Sequence, residues 1–220
     1  MVQLTEKIKS IPGELALEQS LSSGAISQVF LCTFNKTKAV IRIDCSAASM
    51  LSIDRSSEVK ILNRVKHLEL APKVLYQNKS NGILIWEFIP GEHPLFNPDK
   101  KDYCLQSLGR ELSLIHNTPI PSNCSDVFSN AMDLYGNLLK KTSYELMYKK
   151  AVSLFKDLCC DDRKKVLSHN DLNPGNLLWN KKFYFLDWEY AGLNHPCFDI
   201  ASLVYAYKLD PAQVHELSIG

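Results

Sequence analysis

The first part of the chain alternates short apolar runs with small polar turns, the pattern of an antiparallel sheet. Leu15–Leu21 and Ile26–Phe34 read as the first two strands, joined by Ser22-Ser23-Gly24-Ala25. A turn at Asn35-Lys36-Thr37-Lys38 leads into a third strand, Ala39–Ile43 (AVIRI). A helix is expected from about Asp54 to Leu68, with Leu62, Val65 and Leu68 on one face. Leu70–Val74 enters another strand, and Gly82–Ile89 (GILIWEFI) is the last before Pro90-Gly91 breaks the pattern.

Beyond that break the period changes. Leu105, Leu108, Leu112 and Ile115 are spaced three, four and three apart, one face of a helix ending near His116 before Pro119. His116 is expected to cap or pack. Residues 119–125 form a loop, and 126–158 are helix-compatible, with Tyr144, Leu146, Met147 and Tyr148 expected in the core. Brief strands follow at Val166–Leu167, Leu177–Trp179 and Phe183–Leu186. Cys197–Tyr207 starts an apolar helix, and Asp210-Pro211 opens another that runs to Gly220. The class is therefore α+β, with a small antiparallel-sheet lobe over residues 1–90 and a mostly helical lobe over 91–220.

Composition narrows the partners rather than the chemistry. At 220 residues, 45% hydrophobic and 22% charged, the chain can bury a sizeable core. A net charge of +1 offers no basic field for nucleic acid or an anionic membrane. Seven cysteines without a C-x-x-C pair indicate neither a zinc knuckle nor a disulfide framework. No leader-like apolar region follows MVQLTEKIKS, and no run reaches membrane-spanning length. A reduced, soluble, cytoplasmic protein is expected.

The chemistry is concentrated in Val166–Gly192. His169, Asp171 and Asn176 form an H-x-D-x-x-x-x-N loop, turned tightly by Asn173-Pro174-Gly175, and Asp187 closes the last apolar run. Phosphoryl transfer from a nucleotide needs a carboxylate to orient and deprotonate a hydroxyl, together with hard oxygen ligands for Mg²⁺. Asp171 suits the first role, and Asn176 and Asp187 the second. Turn-capping between strands is the bland alternative.

His169–Asn176 (HNDLNPGN) and Leu186–Gly192 (LDWEYAG), followed by Phe198-Asp199-Ile200-Ala201, closely resemble the choline/ethanolamine kinase and aminoglycoside phosphotransferase superfamily. The DWEYAG form is most similar to bacterial choline kinases and thiamine kinases. The resemblance implies a bilobal protein-kinase-like fold and an ATP- and Mg²⁺-dependent transfer to a small alcohol. It implies that Arg42 and Glu58 are an ATP-anchoring pair, against an edge-strand cation and an ordinary helix Glu. It turns Ser23 and Gly24 from a plain hairpin turn into a phosphate cover, although neither a G-x-G-x-x-G nor a Walker pattern is present. Glu87, Phe88 and Ile89 become the adenine hinge, through main-chain contacts. His169 is expected to brace the catalytic loop and Asp199 to support it. Glu189 and Tyr190 are candidates for the acceptor site, or Tyr190 for packing, as expected of Trp188. Ending at Gly220, the chain is expected to be shortened relative to that family. Three readings stand: a kinase for choline, with thiamine or ethanolamine as runners-up; a silent nucleotide- or protein-binding module; and an aminoglycoside phosphotransferase.

Overall fold

The computed structural model describes residues 2–24, 26–45, 48, 53–96, 104–121, 127–159 and 165–220. Ala25 and Asp126, which carried expectations above, lie outside the described residues, as do 122–125 of the expected loop. Strands β1 (Leu15–Ser23), β2 (Ser27–Phe34), β3 (Thr37–Asp44), β4 (Val74–Asn78) and β5 (Ile83–Glu87) form one antiparallel sheet in the order β1-β2-β3-β5-β4. Asn35 and Lys36 both take positive φ (48° and 67°), the conformation that matches a tight hairpin to strand twist.

β3 is the middle strand, and its alternation explains the site. Ala39, Ile41 and Ile43 face an outer core with Cys32, Phe34, Ile83 and Ile85. That face is covered by α1 (Val2–Lys9), a helix not anticipated from the sequence, whose Leu4 and Ile8 pack there. Arg42, one residue out of step with Ile41 and Ile43, is turned to the opposite face, where α2 (Arg55–Val65) and the second lobe lie. Arg42 is buried on a central strand, which excludes the edge-strand alternative. Asp54 caps α2 by accepting from the Ser56 amide at 2.8 Å, so that the predicted start holds, while Lys66–Leu68 tighten into a 3₁₀ turn.

The second lobe is helical except around the catalytic loop. α3 (Leu105–His116) buries the predicted Leu105, Leu108, Leu112 and Ile115. The stretch read as one helix-compatible run divides into α4 (Val127–Leu139) and α5 (Glu145–Cys159), because Lys141 adopts φ 60° and the Thr142 hydroxyl bonds the Leu139 carbonyl. The core expectation for this stretch is corrected. Tyr144, Leu146 and Met147 are exposed, and Tyr148 is the half-buried one, its hydroxyl donating to the Met132 carbonyl across the two helices at 2.8 Å. β6 (Val166–Ser168) pairs with β9 (Gly192–Asn194), which the sequence did not signal. β7 (Leu177–Trp179) and β8 (Phe183–Phe185) make a hairpin. α6 (Cys197–Tyr207) and α7 (Pro211–Ser218) follow, the latter with a full capping box from Asp210 and Gln213. No helix among the described residues is long and apolar enough to cross a membrane.

α7 lies against α3 at a point where only a glycine fits. A Cβ on Gly109 would strike the Leu217 carbonyl oxygen, which is backbone and cannot rotate away. Gly109→Ala should therefore separate the two helices at a cost of about 1–3 kcal/mol. That loss exceeds the gain of up to about 1 kcal/mol in helix propensity. Urea denaturation should show a lower midpoint with unchanged slope; a midpoint at or above the parent's would contradict this packing account.

Candidate active site

The catalytic loop is held from beneath by one buried carboxylate. Asp199, fully buried in the first turn of α6, accepts from the His169 amide at 2.9 Å and the Asn170 amide at 2.8 Å. The ring of His116 completes it at 3.0 Å, so that the packing residue of α3 is part of the loop's support. Asn170 takes φ 68°, a left-handed conformation that Asn tolerates better than other side-chain-bearing residues. Its amide donates to the Tyr190 carbonyl and its oxygen accepts from Asn194. His169 is fully buried, and its Nε2 bonds the Leu186 carbonyl at 2.8 Å. A carbonyl only accepts, so Nε2 carries the proton. Burial lowers the His169 pKa below its ordinary value, although Asp199 and Asp171 pull the other way. The imidazole is a neutral brace, and its place beneath the loop gives it no access to a reacting hydroxyl.

Asp171 is gripped at both carboxylate oxygens. Asn173 donates to Oδ1 at 3.1 Å and Asn176 to Oδ2 at 2.8 Å. The Asn176 amide nitrogen also donates to the Asp171 carbonyl at 2.9 Å. Both partners are pure acceptors, which fixes the amide orientation and leaves the Asn176 Oδ1 lone pairs for a cation. Asn176 is in turn tied to the segment that leads into Asp187, its carbonyl accepting from the Leu186 amide at 2.8 Å. Asp187 follows with φ 56°, left-handed for a residue with a side chain, and its side chain is 41% exposed. Trp188 beneath it is buried and donates from its indole to the Phe185 carbonyl, which bears out the packing expectation.

Arg42 reaches this turn from the other lobe. Its Nη1 donates to Glu58 Oε1 at 2.9 Å while Nη2 binds Oε2, a bidentate fork. The same Nη1 lies 3.1 Å from Asp187 Oδ1 and 3.7 Å from Glu189 Oε2. Glu58 is buried beside it, so each charge depends on the other; leaving either unpaired there costs about 3–5 kcal/mol. Arg55, which the sequence reading passed over, grips Asp44 with two bonds at 2.8 and 2.7 Å. It also donates to Glu58 at 3.2 Å and Glu189 at 2.8 Å. A signal for it existed: a cation at the first residue of a helix opposes the helix dipole and needs local carboxylates.

Two guanidiniums thus face four carboxylates, Asp44, Glu58, Asp187 and Glu189. Burial raises the pKa of Asp187 and of Glu189 above the ordinary carboxylate range, although Arg42 and Arg55 pull both down. Among the described residues no cage of three or more His, Cys, Asp or Glu exists. A carboxylate and an amide oxygen suit Mg²⁺, which keeps waters and binds substrate phosphates rather than filling an all-protein cage.

The remaining expected residues fare differently. Gly24 sits on the exposed end of the β1–β2 hairpin and its amide donates to the Ser27 carbonyl at 3.0 Å, so this N–H does not serve a phosphate. No hydrogen bond or ion pair among the described residues joins Ser23 or Gly24 to the Arg42 cluster. Glu87 and Phe88 use their amides on the Lys73 and Lys38 carbonyls, each at 3.0 Å, which leaves the Ile89 amide for a purine edge. Glu189 is a member of the ion cluster, accepting from Arg55 at 2.8 Å. Tyr190 stays beside the catalytic carboxylate: burial first, then the charges of Glu189, Tyr135, Asp171 and Asp187, push its hydroxyl up to about 12.

Comparison with known proteins agrees with this geometry. The choline/ethanolamine kinase family model matches residues 19–215. The LicA protein of Haemophilus influenzae is 25% identical over 189 residues, covering 82% of this chain and 56% of its own length. The chain thus spans little more than half of that relative. The crystal structure of choline kinase LicA from Streptococcus pneumoniae superposes with a TM-score of 0.74 at 21% identity, over 97% of this chain and 77% of the other. A LicA structure in complex with AMP gives 0.73 at 20% identity, with coverages of 97% and 77%.

A buried neutral imidazole carries a pH signature. His169 has a lowered pKa when folded and returns to about 6.5 when unfolded. Below that value the unfolded chain binds more protons, so the stabilising contribution is complete above about pH 6.5 and is lost as pH falls. The slope from this group is at most about 1.4 kcal/mol per pH unit, ending at the folded-state pKa. Urea midpoints at about pH 7.5 and about pH 5.5 should diverge accordingly, and His169→Gln should remove that part of the difference. An identical pH dependence in the variant would exclude His169 as its source.

Proposed function

The chain belongs to the choline/ethanolamine kinase family, and we propose that it is an ATP-dependent phosphotransferase acting on the hydroxyl of a small amino alcohol, choline in the first instance. One observation carries the reading. Asn176 is hydrogen-bonded to Asp171 and, through the Leu186 amide, to the turn that carries Asp187, and Asp187 meets the buried Arg42–Glu58 pair of the other lobe. Turn-capping residues have no need of a buried cation delivered from a separate sheet.

Each side chain has a task. Asp171, held at both oxygens by Asn173 and Asn176, points a fixed carboxylate at the acceptor hydroxyl and takes its proton late in the transfer. Asn176 Oδ1 and Asp187 would hold Mg²⁺, which when bound neutralises charge on the β- and γ-phosphates. Arg42 exchanges its contact with Asp187 for the nucleotide's phosphates while the Glu58 fork keeps its direction. The Ile89 amide takes the adenine edge. Tyr190 lies within electrostatic reach of Asp171, and an aromatic ring beside a carboxylate is a setting that stabilises a quaternary ammonium. This favours choline over ethanolamine, whose ammonium is better served by hydrogen-bond acceptors. An ATP-consuming reaction and the free cysteines among the described residues suit the cytoplasm.

ADP release should be measured with Mg-ATP and choline, ethanolamine, thiamine or an aminoglycoside offered separately. Turnover is expected on choline, and Asp171→Asn should lower it by about 10²–10⁴-fold. ATP affinity in that variant should stay within about twofold, since the carboxylate serves the acceptor. Full turnover by Asp171→Asn would remove the base assignment; turnover confined to another acceptor would replace choline by it. Asp187→Ala should instead abolish the difference in ATP affinity between solutions with and without Mg²⁺, read by calorimetric titration.

A further inference from the structure

We infer that Arg55 is a positioning residue for the metal-binding turn, holding Glu189 across the lobe boundary and so fixing the backbone that presents Asp187. The inference rests on the kinase reading above.

The turn around Asp187 is pinned on each side of the residue that must stay available. Leu186 is held by two bonds, its amide on the Asn176 carbonyl and its carbonyl on His169 Nε2. Trp188 is held by burial and its indole bond. Those restraints all come from the second lobe. Glu189, next in the same 3₁₀ turn, is held by Arg55 from the first residue of α2 in the sheet lobe. Among the described residues the other ion pairs from that lobe to this turn come from Arg42, at 3.1 Å to Asp187 and 3.7 Å to Glu189. A cation on Asp187 displaces the shorter of these, and the longer exceeds hydrogen-bond distance. The Arg55–Glu189 bond at 2.8 Å is therefore the ion pair from the sheet lobe to this turn that outlasts metal binding, and it adds to the bond from the Phe185 amide to the Leu70 carbonyl at 2.7 Å, which holds the chain ahead of Asp187.

Arg55 is itself fixed. Its side chain is 12% exposed, and Asp44 at the end of β3 takes its Nε and Nη2 in a bidentate pair. The one remaining Nη1 is shared between Glu58 and Glu189. The guanidinium thus joins three elements: β3 through Asp44, its own helix α2 through Glu58, and the turn after Asp187 through Glu189. Lysine has one point charge and no fork, so it cannot serve Asp44 and Glu189 together.

The experiment is calorimetric titration of the full chain with ATP, with and without Mg²⁺, for the parent, Arg55→Met, Arg55→Lys, Glu189→Gln and Arg55→Met/Glu189→Gln, each with a thermal melt. The readout is the factor by which Mg²⁺ improves ATP affinity. Arg55→Met is expected to cut that factor by about 10–100-fold, as loss of a ligand-orienting partner does, while metal-free ATP affinity changes little. Arg55→Lys should recover part of it. Glu189→Gln should give a similar loss with the Asp44 and Glu58 pairs intact, and the double variant should be no worse than either single one. Should Arg55→Met fail to fold, Glu189→Gln alone decides. An Mg²⁺ factor unchanged in folded Arg55→Met or in Glu189→Gln, or losses that add in the double variant, overturns the inference. A parent chain that binds ATP with no Mg²⁺ enhancement overturns the functional reading, and this inference with it.

Discussion

A buried guanidinium on the middle strand of the sheet is the constraint to which the rest of the structure answers. Arg42 occupies a position whose neighbours are all apolar, and a lone cation there is far more costly than its place in the strand is worth. Glu58 must come to it, which fixes how α2 packs on the sheet. The pair together is still short of acceptors, and Asp187 from the second lobe supplies another. The docking of α2 and the approach of the metal turn are thus consequences of one desolvated charge. A buried ion pair adds little net stability over an apolar substitute. On the proposed reading its persistence is explained by a polyanionic substrate, which requires a preorganised cation.

Charge balance orders the cluster around that pair. Arg42 alone cannot satisfy Asp44, Glu58, Asp187 and Glu189, and Arg55 divides the load by taking Asp44 wholly and sharing the two glutamates. Asp187 is left with one weak tie and an open face. The residue with the least protein engagement is the one proposed to accept a cation. The second lobe follows the same logic with uncharged groups: Asn173 and Asn176 satisfy the carboxylate of Asp171, and Asp199 satisfies the amides of the loop that carries it.

Much of this was legible in the chain because it is local. The H-x-D-x-x-x-x-N loop and the Asp at the end of an apolar run lie within one short stretch, and the spacing of turn residues sets their geometry. An arginine within AVIRI announced a need for a partner, and Glu58 in the first turn of the next helix met it. α3 was readable in full, because its apolar spacing buries one face against a continuous core. What escaped depends on contacts between distant segments. β9 is a three-residue strand that exists only by pairing with β6. Arg55 became visible as a cluster member only when Asp44 and Glu189 were placed beside it. Glu189 read as a substrate group because it adjoins Asp187 in sequence, while the 3₁₀ turn at Trp188–Tyr190 directs it to the other lobe. Tyr144, Leu146 and Met147 read as core from their chemistry, yet the two-helix arrangement turns Tyr148 inward in their place.

The two halves of the site therefore differ in how they are specified. The nucleotide half is built from ionic and hydrogen-bonded contacts with short, directional geometry, and residue types alone restrict what can satisfy them. On the proposed reading the acceptor half rests on Tyr190, where shape and distance rather than residue identity decide the fit. A quaternary ammonium asks for aromatic surface and a modest negative field, demands that many side-chain arrangements meet. Phosphate and Mg²⁺ ask for particular donors and acceptors, demands that few meet. Reaction class can accordingly be read from the motifs and their ion pairs, whereas residue types leave the acceptor open.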